Sequence, residues 1–447
     1  MPNTDASYLK MILLHLLLSV AIFLFRPLSI GYAALVLIFA CYFIIKNKNA
    51  NNEVLIWSAY IVAAEVFLRM TKGNIGNEFA KYGVIIFMAL GMYFSGISKK
   101  AILYWVFLLL LVPGIILGVL DLSFEADIRK ALVFNILGPV CLGLSSIYCY
   151  ERKITFDRLL GVITAFSLPL VTVVFYLFLY TPSVKDVVTG TASNFETSGG
   201  FGPNQVSTIL GLGIFVFFVQ LLLNSKSRLL QIANALFVLT FAFRGLVTFS
   251  RGGVITGIVM IFLLIMVLYL QANFKTRPKI GLVIMFSCLA GLGVWGYSSI
   301  QTGGLINKRY ANEDALGREK KSKLSGREDL IASELEMFLD NPILGVGVGR
   351  NKEVRAEETG IVAASHNEIS RMLAEHGSLG LFDLLLLVFT PLFLFVNNRQ
   401  NILALSFVAF WLLTINHAAM RLAAPAFVYA LSLLKVYTVE KPTLHRE

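Results

Sequence analysis

Two arginines and one histidine are the residues of this sequence best suited to chemistry. Arg251 follows Ser250 at the end of an apolar stretch, while Arg327 and His366 each open an amphipathic segment. A guanidinium group presents a planar fork of donors that binds phosphate, and a neutral imidazole accepts a proton near neutral pH. Together these residues predict a site that binds an anion and moves a proton.

Both amphipathic segments carry the sequence signature of a helix N-terminus. Ser325-Gly326-Arg327-Glu328 and Ser365-His366-Asn367-Glu368 are capping boxes, in which serine and glutamate side chains satisfy free backbone N–H groups. This predicts that Arg327 and His366 lie in the first turn of a helix, whose dipole disfavours an imidazolium. A lone histidine is more often structural, but the neighbouring charges favour chemistry. Asn367 lies beside His366, and the candidate partners on the same helix are Glu368, Arg371 and Glu375.

A second concentration of charge lies around Arg251. Arg244 precedes it by seven residues, so on a continuous helix both side chains project from nearly the same face. An arginine at membrane depth is costly unless it meets a counter-ion or water, so the pair predicts an anion site or a buried ion-pair network. An interfacial anchor is the alternative for Arg251 alone. Glu65 and Arg69, four residues apart, are interpreted as a pair that neutralises itself.

Four more residues are candidates for substrate binding, each with a structural alternative. Asn204 either lines the outer face or caps the helix that follows it. Arg350 ends the turn Gly345–Gly349, which resembles a phosphate-binding loop but follows no strand and is equally well explained as a flexible corner. His417 and Arg421 lie in a short turn, where they line the same opening or anchor the chain at the interface.

The elements that must position these residues are membrane helices. Of the 447 residues, 57% are hydrophobic and 15% are charged, and the mean hydropathy is +0.75. This composition predicts an all-α, polytopic membrane bundle with about 12–14 spans of about 20 residues each. The fourteen segments predicted to span are 8–26, 28–46, 53–71, 80–98, 101–120, 131–149, 159–180, 205–224, 229–250, 252–272, 280–298, 378–397, 401–416 and 419–438.

The distribution of charge predicts the orientation of the bundle. Lysine and arginine concentrate in alternate short loops, which places those loops and both termini in the cytoplasm. The segment 299–377 carries 11 basic and 13 acidic residues and falls on the opposite side. We therefore divide the chain into spans in 1–298, an exterior domain with two amphipathic helices in 299–377, and further spans with a cytoplasmic tail in 378–447.

Several classes of function are disfavoured. The net charge of +11 follows from membrane topology, so no nucleic-acid partner is expected. The four cysteines lie in apolar spans, which indicates neither a disulfide framework nor a cysteine metal site. No metal-binding motif and no G-x-S-x-G nucleophile motif occurs, so neither a metal nor a serine hydrolase is expected.

The motifs, taken in order, resemble the O-antigen ligase and polymerase superfamily. The resemblance covers roughly residues 200 to 385. It is carried by Phe201-Gly202-Pro203-Asn204, Ser250-Arg251-Gly252, Ser325-Gly326-Arg327, Asn341-Pro342-Ile343-Leu344-Gly345-Val346-Gly347, Ser365-His366-Asn367-Glu368 and Glu375-His376-Gly377-Ser378-Leu379-Gly380.

The resemblance implies a bacterial inner-membrane glycosyltransferase with its active site on the periplasmic side. The implied donor is a glycan on undecaprenyl diphosphate, and transfer is inverting and needs no metal or nucleotide cofactor. The family's functional arginines match Arg251 and Arg327, and its histidine matches His366. The acceptor stays open between lipid A–core in a ligase and the growing polysaccharide in a polymerase. A transporter of lipid-linked sugar is a more remote alternative, because no internal repeat is found.

Overall fold

The computed structural model describes residues 5–122, 127–320, 322, 327–360 and 363–438. Within these ranges, ten helical segments are long and apolar enough to cross a membrane. The chain is a polytopic helical membrane protein, as predicted. Its first eight helices are α1 (Asp5–Leu24), α2 (Leu28–Lys46), α3 (Glu53–Met70), α4 (Phe79–Ser95), α5 (Ile102–Leu110), α6 (Val112–Asp121), α7 (Ile128–Cys149) and α8 (Phe156–Tyr180).

The second part of the chain adds the remaining spans and the exterior helices. The spans and short apolar helices are α9 (Pro203–Val219), α10 (Arg228–Val247), α11 (Arg251–Gln271), α12 (Arg277–Gln301), α16 (Glu368–Asn397), α17 (Ala404–Ile415) and α18 (Ala424–Leu431). The exterior helices are α13 (Leu305–Tyr310), α14 (Arg327–Asp340) and α15 (Asn351–Thr359). The strands β1 (Lys153–Thr155) and β2 (Lys435–Tyr437) form one parallel pair.

Contacts between loops define two opposite ends of the bundle. At one end, which we call the basic end, β1 pairs with β2, Lys100 lies 2.9 Å from Glu151, and Gln271 donates to the Arg399 carbonyl. At the other end, which we call the site end, the turn after α10 contacts α13, the turn after α17 contacts α14, and the loop after α8 contacts the exterior segment at Glu313. The lysine-rich loops therefore gather at one end, as the sequence pattern requires.

The last predicted span, 419–438, is wrong as a single continuous membrane helix. Residues 419–423 form a turn, α18 has only eight residues, and the chain then turns into β2. All eight α18 side chains are buried, packed among α3, α7 and α17. The apolar composition of this segment reflects burial inside the protein rather than contact with lipid.

The exterior segment contains more helix than predicted. Helix α14 ends at Asp340, directly before Asn341-Pro342, in agreement with the sequence. The structure adds α13 and α15 to the two predicted helices. Ser325 and Gly326, which begin the first predicted capping box, lie outside the described residues.

Gly377 divides α16 into two parts with different directions. Its backbone angles, φ 59° and ψ −137°, are not helical, and a Cβ on Gly380 would lie 2.2 Å from the Met372 carbonyl oxygen. Residues 368–376 therefore fold back against the start of the membrane part, 378–397. This confirms the predicted helix stop at Gly377.

Candidate active site

Arg251 begins α11 at the site end, directly after a tight turn from α10. Within that turn, the Ser250 hydroxyl donates to the Asn204 side-chain oxygen at 2.7 Å. A Cβ on Gly253 would lie only 1.9 Å from the Ser207 carbonyl oxygen, so α9 and α11 are in backbone contact. Gly202, rather than Asn204, occupies the N-cap position of α9. Asn204 instead fixes the residue that precedes Arg251.

Arg327 begins α14 and reaches the turn between α17 and α18. Its Nη1 donates to the His417 carbonyl oxygen at 3.3 Å. The His417 ring is half-buried, with Nδ1 2.9 Å from the Leu413 carbonyl and Nε2 3.1 Å from the Thr208 hydroxyl. Since a carbonyl oxygen only accepts, Nδ1 carries the hydrogen. His417 thus joins α9 to α17, and its backbone holds Arg327.

His366 lies in the loop directly before α16, not within the helix. The N-cap is Asn367, whose side chain accepts from the Ile369 and Ser370 amides, so the predicted serine cap is wrong. Ser365 instead donates to Glu334 at 3.2 Å, and its carbonyl accepts from Arg421 Nη2 at 3.0 Å. Within the described residues, the buried Nδ1 of His366 has no hydrogen-bond partner.

The charges on these elements influence one another. Burial, followed by the positive charges of Arg421 and Arg327, lowers the pKa of His366 to about 4. Burial and then Arg251 lower the pKa of Arg327, against a smaller opposing effect of Glu328. Burial and then Arg327 lower the pKa of Arg421, with Glu368 opposing. Arg327 is thus linked electrostatically to Arg251 on one side and to His366 and Arg421 on the other. That these residues form a catalytic site stays a prediction.

Arg309, on α13, belongs to the same group and was missed by the sequence analysis. Burial lowers its pKa first, followed by the charges of Arg251 and Arg327. We call Arg251, Arg309, Arg327, Arg421 and His366 the cationic site. Its residues come from α11, α13, α14 and the loops before α16 and α18, so only the folded chain assembles it.

A buried carboxylate holds the loop that carries His366. Glu334 of α14 accepts from Arg355 at 2.7 Å, from Ser365 at 3.2 Å and from Ser370 at 2.5 Å. Glu334 and Arg355 are each only 1% exposed. Neither was predicted. On α14, the side chains of Leu330 and Met337 are buried along with that of Glu334. The pair therefore links α14 and α15 to the start of α16.

The predicted partners on α16 form an internal ion-pair chain. Arg371 Nη1 lies 2.5 Å from Glu375, and Nη2 also contacts Glu368. Glu368 in turn accepts from the Met420 amide at 3.4 Å, beside Arg421. The side chains of Glu368, Arg371 and Arg421 line one small cavity. These contacts neutralise Arg371 within the protein while keeping it next to the cationic site.

Arg244 does not join the cationic site. Helix α10 ends at Val247, so Arg244 and Arg251 are not on one continuous helix. The fully buried Arg244 guanidinium donates to the Leu177 and Thr181 carbonyls and lies 4.6 Å from the centre of the Phe178 ring. Arg244 therefore supplies hydrogen-bond donors to backbone carbonyls at the end of α8, and these contacts favour a structural role.

Backbone amides of the glycine-rich turn Gly345–Gly349 already donate hydrogen bonds within the protein. The amides of Val346 and Gly347 donate to the Ala374 and Glu375 carbonyls, and the Gly349 amide donates to the Glu375 side chain. The turn thus satisfies the last carbonyls of the first part of α16, which is the structural alternative to a phosphate loop. Arg350 lies 3.2 Å from Asp121 in an ion pair, away from these contacts.

Residues 235–385 match a protein-family model described as O-Antigen ligase. This match supports the superfamily that the sequence motifs predicted. The match to this O-antigen ligase model contains Arg251, Arg309, Arg327 and His366, whereas Arg421 lies beyond it. It supports a ligase or polymerase type of function in a multi-pass bacterial membrane protein. No curated protein matches the chain.

Proposed function

We propose that this protein transfers a glycan from an undecaprenyl-diphosphate carrier to an acceptor hydroxyl. The observation that carries the proposal is the cationic site, where Arg327 and Arg421, from separate elements, act on a histidine whose buried Nδ1 has no hydrogen-bond partner in the described part of the chain. Clustered positive charge is costly unless an anion is bound, and a diphosphate supplies that anion. The polyprenyl tail would remain in the lipid beside the apolar helices.

In the proposed reaction, the acceptor oxygen attacks the anomeric carbon from the face opposite the diphosphate. The bond from that carbon to the diphosphate oxygen breaks, and its electron pair leaves with the carrier. Negative charge therefore grows on the diphosphate, where Arg251 and Arg327 stabilise it most in the transition state. We expect an inverted glycosidic bond, with no metal ion required.

His366 is the proposed acceptor of the proton lost by the attacking hydroxyl. Without substrate, burial together with the charges of Arg421 and Arg327 depresses the pKa of His366 and keeps the imidazole neutral. A bound diphosphate offsets both charges, so it raises the basicity of His366 when the base is needed. Glu334 keeps the His366 loop in place through Ser365.

We place the cationic site on the periplasmic side of the inner membrane. The support is the gathering of lysine and arginine loops at the basic end, which is typical of the cytoplasmic face. The acceptor is lipid A–core if the protein is a ligase and the growing glycan if it is a polymerase.

The test is surface polysaccharide in cells that carry Arg251→Ala, Arg327→Ala or His366→Ala. We expect each variant to reach the membrane but lose glycan transfer, whereas Lys352→Ala, at an exposed exterior position on α15, retains it. Normal polysaccharide in all three variants would refute the site. In a deletion strain, free core with accumulated carrier-linked polymer indicates a ligase, and core bearing one repeat indicates a polymerase.

Purified protein separates transfer from transport. We expect it to form new glycosidic bonds from a carrier-linked donor in detergent. Movement of labelled lipid-linked sugar between leaflets without any new bond would support the transporter alternative and overturn the proposal.

A further inference from the structure

Helix α13 is held rigidly against the turn that precedes Arg251. Ile306 is fully buried in an apolar cluster with Val247 and Phe249, and the ring of Tyr310 lies 4.8 Å from that of Trp295. These two anchors leave little freedom to Arg309, which is 8% exposed. The guanidinium of Arg309 therefore has a defined place in the fold.

Arg309 contacts the backbone two residues before Arg251. Its Nε donates to the Phe249 carbonyl oxygen at 2.9 Å. Phe249 has a positive φ of 57°, a conformation that a phenylalanine rarely adopts and that the surrounding structure must hold in place. Because Ser250 and Arg251 follow directly, this hydrogen bond helps to fix where α11 begins.

The charges around Arg309 differ from those around a purely structural arginine. Buried Arg355 is neutralised by Glu334, with 2.7 Å between the charged atoms. After burial, the positive charges of Arg251 and Arg327 lower the pKa of Arg309, and Tyr310 opposes them in part. Arg309 in turn lowers the pKa of Lys320. Holding a buried cation next to other cations destabilises the unliganded protein, and a bound anion relieves this repulsion.

We infer that Arg309 is a further positioning residue of the diphosphate site, which orients Arg251 through the Phe249 carbonyl and adds its own positive charge to the site. The inference rests on the proposed function, since it names a residue for the same anion. A diphosphate becomes more negative as it leaves, so an added guanidinium charge acts on the leaving step.

The experiment measures the affinity of purified protein for inorganic pyrophosphate by calorimetry, together with kcat, KM and the unfolding temperature. Arg309→Gln removes the charge, Arg309→Lys keeps it, and Lys308→Gln is the matched control. Lys308 is the adjacent residue, and its Nζ contacts the Ala315 carbonyl in an exposed setting. We expect Arg309→Gln to weaken pyrophosphate binding about tenfold or more, and Arg309→Lys to recover part of the loss. We also expect kcat to fall more than KM rises in Arg309→Gln, and Lys308→Gln to behave like the wild type.

Three results would overturn the inference. If Arg309→Gln lowers only the unfolding temperature and leaves pyrophosphate affinity and kcat unchanged, Arg309 is an anchor of α13. If the wild type binds pyrophosphate and Arg251→Ala abolishes binding, yet Arg309→Gln matches the wild type, the inference fails alone. If the wild type does not bind pyrophosphate and Arg251→Ala transfers glycan normally, the proposed function fails as well.

Discussion

The pH dependence of glycan transfer gives the sharpest test of the role of His366. Its pKa is lowered to about 4 in the substrate-free protein, so the imidazole should stay neutral well below neutral pH. Between pH 7 and pH 5, the neutral fraction of such a group falls by only about a tenth. For a histidine with the ordinary pKa of about 6.5, the neutral fraction would fall about 25-fold over the same interval.

The sign of the effect follows from the neutral form being the base. Activity that depends on neutral His366 is present above its pKa and is lost as the pH falls through it. We therefore expect kcat/KM, which reports the free enzyme, to stay nearly constant down to pH 5. Bound diphosphate offsets Arg421 and Arg327, so the acid limb of kcat should lie at higher pH than that of kcat/KM.

The assay is the initial rate of transfer by purified protein, with the donor either limiting or saturating. Arg421→Gln should move the acid limb of kcat/KM to higher pH, because it removes the neighbouring charge with the larger effect on His366. Lys352→Gln serves as the control for general effects of pH. A 25-fold loss of wild-type kcat/KM by pH 5 would mean that burial and these charges do not lower the pKa of the proposed proton acceptor.

Two further predictions concern the elements that hold the cationic site. Glu334→Gln leaves the buried Arg355 without its ion pair and should destabilise the protein by about 3–5 kcal/mol. Thermal unfolding in detergent measures this loss of stability. The control is Glu336→Gln at an exposed position of the same helix. An unfolding temperature equal to that of the control would contradict it. Gly377→Ala places a Cβ 2.6 Å from the Ile343 carbonyl carbon at a positive φ, and should cost at least about 1–3 kcal/mol and reduce transfer. Gly293→Ala, where a Cβ meets nothing within 4 Å, should be nearly neutral, and equal stability of the two alanine variants would refute the reasoning.

Much of the helical framework could be predicted from the sequence, because a membrane span leaves a long apolar pattern. The ends of α14 at Asn341-Pro342 and of the first part of α16 at Gly377 were also predictable, since proline and glycine act locally. The short, buried helix α18 could not be predicted, because hydropathy does not distinguish burial in protein from burial in lipid.

The errors near the site concern structural features that no local sequence pattern marks. The predicted spans 229–250 and 252–272 placed a break next to Arg251. The turn actually begins earlier, at Thr248, and its residues Thr248, Phe249 and Ser250 include neither glycine nor proline, so no local signal marked the end of α10 at Val247. Arg309 and Glu334 lie in a segment rich in charge, where spacing alone does not identify the few buried side chains. Glu65 was interpreted as neutralising Arg69, and it does lie 2.9 Å from it. Its second oxygen also accepts from the Ala423 amide, which holds the turn that carries Arg421.

Two kinds of buried or half-buried arginine coexist at the site end, and the contrast between them bears on function. Arg355 and Arg371 are neutralised by carboxylates, so their contacts are complete within the protein. Arg309, Arg327 and Arg421 instead donate to the backbone carbonyls of Phe249, His417 and Ser365. A carbonyl orients a guanidinium without cancelling its charge, and the nearby carboxylates of Glu328 and Glu368 oppose the mutual repulsion only in part. Such an arrangement costs stability when empty and favours a multiply charged anion when filled, which is what the proposed diphosphate leaving group requires.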